Sequence, residues 1–301
     1  MIAPYRPLHA RRAMERVRPM RWLICASVLF GLAANARADD LDVLRGSQSV
    51  GPAAFTRWSG FYAGGQFSYS SGKADFTNAS APLIASSLAE TTIESVVVPS
   101  SWPILGSAST AAAGVGGFAG YNTQFQDLIL GLEGNYTHSP FTVTSPTSPI
   151  LDRVSTVGSN LDSVSAEATG VMRITDYGSL RARAGWVFDN ILPYGFAGLA
   201  LGRGDYSVTS QVFGQQNALT AASPIIPCNP AVTVTCVDYN YSNSAGRQGI
   251  LLYGFSVGGG FDWALTANIF IRAEYEFIQF AEVGSITASI SSARAGLGFK
   301  F

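Results

Sequence analysis

From Ile269 to Phe277 the odd positions Ile269, Ile271, Ala273, Tyr275 and Phe277 are apolar, and Arg272, Glu274 and Glu276 stand between them. The alternation returns at Ala293, Ala295, Leu297, Phe299 and Phe301, interleaved with Arg294, Gly296, Gly298 and Lys300. Strict period two marks strands with one apolar and one polar face. Six earlier segments read as strands too. The first, Trp58 to Ser71, sets Phe61, Ala63, Phe67 and Tyr69 against Tyr62, Gln66 and Ser68. The second, Val115 to Phe125, carries Ala119, Tyr121 and Phe125 on its apolar face. The third opposes Leu128, Leu130, Leu132 and Tyr136 to Glu133, Asn135 and Thr137. The fourth, Val171 to Phe188, opposes Ala182, Ala184, Trp186 and Phe188 to Arg181 and Arg183. In the fifth, Leu192 to Val208, both registers are apolar, so its faces stay open. The sixth, Ile250 to Leu265, presents Tyr253, Phe255, Val257, Phe261 and Trp263 together.

The connections alternate in length. Gln126-Asp127, Asp189-Asn190 and Thr266-Ala267-Asn268 are tight turns, and a short loop near Gly284 joins the last two strands. Gly72–Ala113, Pro140–Ser165 and Ser210–Arg247 are expected as long loops, with a short helix over Ser86 to Val98 in the first. Short turns at one end and long loops at the other are the arrangement of an up-and-down barrel that crosses a membrane. The expected fold is therefore all-β, an eight-stranded antiparallel transmembrane β-barrel. An even strand count closes the sheet, so no hydrogen-bonding edge meets lipid. A soluble sandwich would need a second sheet to cover every aromatic on the odd faces. Phe299 and Phe301 on the closing strand read as the assembly signal for the barrel-assembly machinery, and outer-membrane lipid and lipopolysaccharide as the surroundings.

The start of the chain supplies the compartment. Six arginines between Arg6 and Arg21 precede an apolar run from Trp22 to Ala34, and Ala36-Arg37-Ala38 follows as a small-x-small cleavage signal. Residues 1–38 are read as a cleaved signal peptide, 39–57 as a periplasmic lead-in and 58–301 as the barrel. Met20 would give a more ordinary leader than Met1. Cleavage removes seven Arg and one Glu from 19 basic and 20 acidic residues, so the mature chain sits near −7 where the whole chain reads −1. That balance points away from nucleic acid. Cys228 and Cys236 survive processing in a polar, Pro-containing stretch, and in an oxidising compartment a local disulfide between them is expected.

The Trp58-Ser59-Gly60-Phe61-Tyr62-Ala63-Gly64-Gly65 opening resembles the small outer-membrane β-barrel proteins of alphaproteobacteria, in the superfamily of opacity proteins and the OmpA transmembrane domain. Two further stretches carry the resemblance: Tyr177 to Trp186 (YGSLRARAGW) and Leu192 to Ala200 (LPYGFAGLA). The resemblance covers Trp58 to Phe301. It implies an eight-stranded outer-membrane barrel and no single activity. Members are associated both with envelope integrity and slow porin-like diffusion of small hydrophilic solutes, and with surface adhesion or binding of haem-like ligands through extracellular loops.

The inward-facing charges are Glu133, Arg181, Arg183, Arg272, Glu274, Glu276, Arg294 and Lys300. In an interior this narrow they are expected to pair as a lumen charge network and fill the barrel. Read instead as a constriction, the surplus of Arg would favour anions. No enzyme is expected: His138 is the only histidine after residue 38, and although loops could bring Asp or Ser to it, no spacing singles any out. No metal ligand set or cofactor is expected either. Trp58, Tyr136, Trp186, Tyr194 and Trp263 read as interface anchors, and Gly258-Gly259-Gly260 as mid-strand glycines that relieve crowding or allow a bend.

Overall fold

A computed structural model describes residues 57–146, 151–157, 160–218 and 236–301. Nine strands occur there: β1 (Gly60–Asp75), β2 (Ser107–Phe125), β3 (Leu128–Thr144), β4 (Leu151–Val157), β5 (Asn160–Trp186), β6 (Ile191–Ala218), β7 (Cys236–Ala264), β8 (Ile269–Phe280) and β9 (Thr287–Lys300). Every pairing is antiparallel, in the order β3-β2-β1-β9-β8-β7-β6-β5, and β5 pairs back onto β3. Eight strands thus close a barrel, with β9 sealed against β1 from Tyr62↔Lys300 to Asp75↔Thr287. The ninth, β4, lies outside the ring as a hairpin partner of β5. The expected signal peptide, most of the lead-in and the Cys228–Cys236 bridge fall outside the described residues. Mass spectrometry of oxidised protein is expected to show that bridge. The double Ser variant should keep its heat-modifiable gel mobility, and losing it would tie the pair to barrel folding.

At one end the tight turns fall where the sequence puts them. Gln126 and Asp189 take positive φ (55° and 50°), and Phe188 and Ile191 exchange both backbone hydrogen bonds at 2.8 Å. The β8–β9 connection at the other end is a two-residue turn, Gly284-Ser285, with φ of 59° and 60°. Two consecutive positive φ values suit the right-handed twist of a hairpin. Gly284 also lies against the Tyr206 ring, which a Cβ would meet at 2.7 Å.

The three long loops are shorter than expected, because the strands run further. β5, β6 and β7 have 27, 28 and 29 residues, whereas about 9–11 cross a bilayer. Most of Pro140–Ser165 and Ser210–Arg247 belongs to these extended strands and to β4, and β2 begins at Ser107. The physical reason is an inversion of pattern. Low on β6 the apolar side chains point outward, with Leu199 and Leu201 exposed. Higher on the same strand Val208 and Val212 point inward, and Ser207 and Thr209 are exposed. A strand leaving lipid for water must exchange its faces, and a reading tuned to an apolar outer face takes the upper part for loop.

The exchange coincides with irregular pairing. The ladder shifts between His138 and Phe141 on β3, between Ile174 and Asp176 on β5, and between Gly204 and Tyr206 on β6. Such bulges bend a strand and re-aim its side chains. Above them β4 to β7 stand up as a sheet. Its inner face, including Val164, Ala166, Met172 and Val208, shares one buried apolar cluster with Phe76, Ile84, Leu88, Trp102 and Ile104 of the β1–β2 connection. The helix expected over Ser86–Val98 is two: α1 (Ala81–Ser87), opened by Pro82, and α2 (Thr92–Val96). Asn243 of β7 fastens α1 by donating to Ser86 Oγ at 2.8 Å.

Candidate functional site

Even positions of β8 (Arg272, Glu274, Glu276) and odd positions of β5 (Arg181, Arg183) point into the barrel, because their sequence neighbours lie on the apolar outer wall. Glu133 from β3, Arg294 from β9 and Asp262 from β7 meet them there. Glu133 is the hub. Its Oε1 accepts from Arg181 Nε at 3.1 Å and Arg272 Nη1 at 3.0 Å, and is also bonded by Arg181 Nη2. Its Oε2 accepts from Tyr62 Oη at 2.6 Å, Arg272 Nη1 at 2.9 Å and Arg183 Nη1 at 3.2 Å. Arg181 grips Glu274 with both terminal nitrogens, at 2.7 and 2.6 Å. Asp262 accepts from Arg272 Nε at 2.8 Å and Arg183 Nη2 at 2.7 Å. Arg294 reaches Glu274 at 3.2 Å and pairs with Glu276, which also accepts from Ser179 Oγ at 2.8 Å.

Four carboxylates therefore face four guanidinium groups, and the layer is neutral. Carboxylates taking paired Arg bonds give the strong form of charge-assisted hydrogen bond. Rings complete the packing: Arg181 lies 3.9 Å from the Phe196 centroid, Arg183 3.8 Å from Tyr194 and Arg272 3.9 Å from Phe118. On the turn side an apolar floor of Trp58, Ile129, Leu192 and Phe270 underlies the charges. On the loop side Gln66 and Asn135 exchange side-chain bonds at 3.1 and 3.2 Å. Ser70, Tyr177 and Ser292 form a hydroxyl triangle beyond them. The apolar cluster beneath α1 and α2 follows.

Seven of the eight residues read as a charge network from sequence come together in this layer. Lys300 stands apart: its Nζ donates to the Arg57 carbonyl at 3.1 Å and lies 4.3 Å from the Trp58 ring. Asp262 was missed, although its place between outward Phe261 and Trp263 aims it inward by parity alone. Two expected interface anchors are also inside. Trp58 precedes the strand and tucks beneath the barrel, 6.0 Å edge-on from Phe270. Tyr194 takes the inward register of β6, resolving the open face of that strand, and donates to Glu274 at 2.9 Å. Tyr136, Trp186 and Trp263 are on the outer wall. Glycines 258 and 260 relieve crowding, since a Cβ would meet Tyr275 O at 2.2 Å and Ala273 O at 2.3 Å.

His138 is exposed on the outer wall, with Nδ1 2.7 Å from Asp176 Oδ1. Among the described residues no group of three His, Cys, Asp or Glu is placed to hold a metal. None of the described helices is long and apolar enough to cross a membrane.

Comparison with solved structures finds similar chains of low identity. The attachment invasion locus protein Ail of Yersinia pestis, solved with the heparin analogue sucrose octasulfate, is 11% identical over 80% of this chain and 99% of its own, with a TM-score of 0.33. Neisserial surface protein A is 16% identical over 81% and 98%, with a TM-score of 0.33. The N-terminal β-barrel domain of Pseudomonas aeruginosa OprF is 15% identical over 79% and 99%, with a TM-score of 0.27. No curated protein matches the sequence. The sequence pattern of the outer membrane protein beta-barrel domain matches residues 43–301. With its closed eight-stranded ring and apolar outer wall, the chain belongs to that family of outer-membrane β-barrels, and its place is the outer membrane of a Gram-negative cell.

Proposed function

We propose that the barrel is a sealed anchor and that the protein acts at the cell surface, through the sheet that β4 to β7 raise above the membrane. The observation that carries this reading is the neutral layer of four carboxylates and four guanidinium groups, set between apolar packing on both sides. Anion-selective diffusion rested on a surplus of Arg. Asp262 removes that surplus, and Lys300 is turned away from it. Burying eight ions is costly unless each is matched, and matching them consumes the space a solute would need. The contribution to envelope integrity is then that of a closed wall. The water-facing side of the raised sheet, with Ser207, Thr209 and Gln211, is left for recognition, and no catalytic step is assigned to it. Export with removal of residues 1–38 belongs to the same proposal. So does assembly through β9, whose Phe299 ring meets Phe301 edge-on at 5.2 Å on the outer wall.

Planar-bilayer recordings of the refolded protein test the anchor, and no stepwise current is expected from wild type. Adhesion tests the sheet. Cells displaying wild type should hold to plates coated with matrix protein or sulfated polysaccharide better than cells whose β4–β7 extension is trimmed to the membrane rim. Large, stable wild-type currents would return the protein to solute diffusion, and equal adhesion would take recognition away from the sheet.

A further inference from the structure

Above the rim, β7 is an open edge. Lower down, from Gly254 to Ala264, it is paired on both sides, with β6 and β8. From Val237 to Arg247 it pairs with β6 alone among the described residues, and that ladder runs without a shift. An unpaired edge is a template for a further strand, and proteins blunt such edges with proline, lysine, a bulge or a short length. The other edge of the raised sheet is blunted in this way: β4 has 7 residues and carries Asp152 and Arg153. β7 is not. Val237 to Gln248 contains no Pro and no Lys, and its only charges are Asp238 and Arg247, near the two ends.

The direction of its free groups follows from the pairing. Ser210 stands opposite Asn243, and its Oγ donates to the Asn243 carbonyl at 3.5 Å, so that carbonyl is turned toward β6. Alternation along an antiparallel ladder then turns the N–H and C=O of Asp238, Asn240, Ser242 and Ser244 to the open side. These four residues are exposed, with their side chains on the water face. On the opposite face Tyr239 and Tyr241 are half-buried with ring centroids 5.9 Å apart, and Asn243 holds α1 through Ser86. A strand laid along this edge meets two tyrosine rings and α1 on one side and water on the other. Asp238 is the one charge on the water face of the edge. Its Oδ1 accepts from Gln215 Nε2 at 2.9 Å, a neutral donor that leaves the upper end negative.

We propose that the open edge of β7 takes an extended segment of another protein as an added strand of the raised sheet. Main-chain hydrogen bonds along Asp238 to Ser244 supply the affinity, and alternate side chains supply the choice of segment. The segment that fits has β-branched or aromatic residues beside Tyr239 and Tyr241, polar residues beside Asn240 and Ser242, and a basic residue at the level of Asp238. A second copy in the same membrane fits less well: its β7 would run parallel, setting Asp238 beside Asp238, and like charges directly opposite are destabilising. The proposal rests on the raised sheet as the acting surface and names its partner. It is independent of whether the lumen conducts.

Amide hydrogen exchange of the refolded protein in lipid nanodiscs tests it. The probe is a peptide of about ten residues, within the usual range for a strand, with Val and Thr alternating and Lys at one end. Asn240, Ser242 and Ser244 should exchange about tenfold more slowly with the peptide present. Tyr241 and Asn243, already bonded to β6, should not change. A peptide of the same composition with its Val and Thr in two blocks should protect none of them. Ser242→Pro removes an N–H that faces the open side, where an edge strand tolerates proline. It should abolish the protection and keep the heat-modifiable mobility of wild type. Asp238→Asn should weaken the Lys-ended peptide to the level of one ending in Gln. Equal protection by the alternating and blocked peptides, or equal protection of odd and even amides, would overturn the added strand. Slow exchange at Asn240, Ser242 and Ser244 without peptide, lost on dilution, would put a second copy on the edge and overturn the foreign segment. No protection by either peptide, with adhesion still abolished by trimming β4–β7, would move recognition to the face of the sheet: the edge falls and the surface reading stands.

Discussion

Glu133→Gln is expected to destabilise the barrel by about 3–5 kcal/mol, the cost of leaving a buried charge uncompensated. The side chain is fully buried and receives three arginines and the Tyr62 hydroxyl. An amide of the same shape keeps the volume and one acceptor, but Arg181, Arg183 and Arg272 lose the charge they converge on. Adding Arg181→Gln should recover part of the loss, since groups in one network do not add independently. Arg181 is the partner to remove because it holds Glu133 through two nitrogens, and recovery is partial because Glu274 then loses its two Arg181 bonds and keeps Arg294 at 3.2 Å and Tyr194 at 2.9 Å. Arg173→Gln, exposed and unpaired, should cost nothing measurable. Unfolding in lipid vesicles, followed by heat-modifiable mobility, reads all three. A single variant within about 1 kcal/mol of wild type would mean that water already screens the layer.

Parity made much of this legible. Wherever lipid faces one side of a strand, one residue of known direction fixes the rest. Leu132 and Tyr136 outward put Glu133 inward, and Ala182 and Ala184 outward put both arginines inward. The closed ring followed from the even count and the alternation of turn and loop. Three things escaped. Above the bulges the outer solvent changes from lipid to water, so Val208 and Val212 turn inward and the same rule reads a strand as loop. On β6 both registers are apolar, and only the neighbouring strands decide that Tyr194 joins the charges. Trp58 lies before the first pleat, where parity has nothing to count from.

The outer wall itself predicts the second large effect. Phe255 and Leu297 are about half exposed and point away from the charged layer, on β7 and β9. Arg at either site places a guanidinium in hydrocarbon, and near the midplane this should cost about 2–4 kcal/mol. The penalty should depend on the bilayer, falling in thinner lipid where the side chain can reach the headgroups. Gly298→Arg is the internal comparison. Its side faces the lumen, where a Cβ would meet the Phe270 ring at 2.2 Å, so the barrel should suffer from crowding by an amount that bilayer thickness does not change. Thr209→Arg, on the outer face above the bulges, should be silent. Equilibrium unfolding of the four variants in two lipids of different chain length separates these causes. Thickness-independent losses at Phe255 and Leu297 would mean that these strands do not meet lipid with their odd faces, and the inward direction of Asp262 and Arg294, which depends on the same parity, would fall with them.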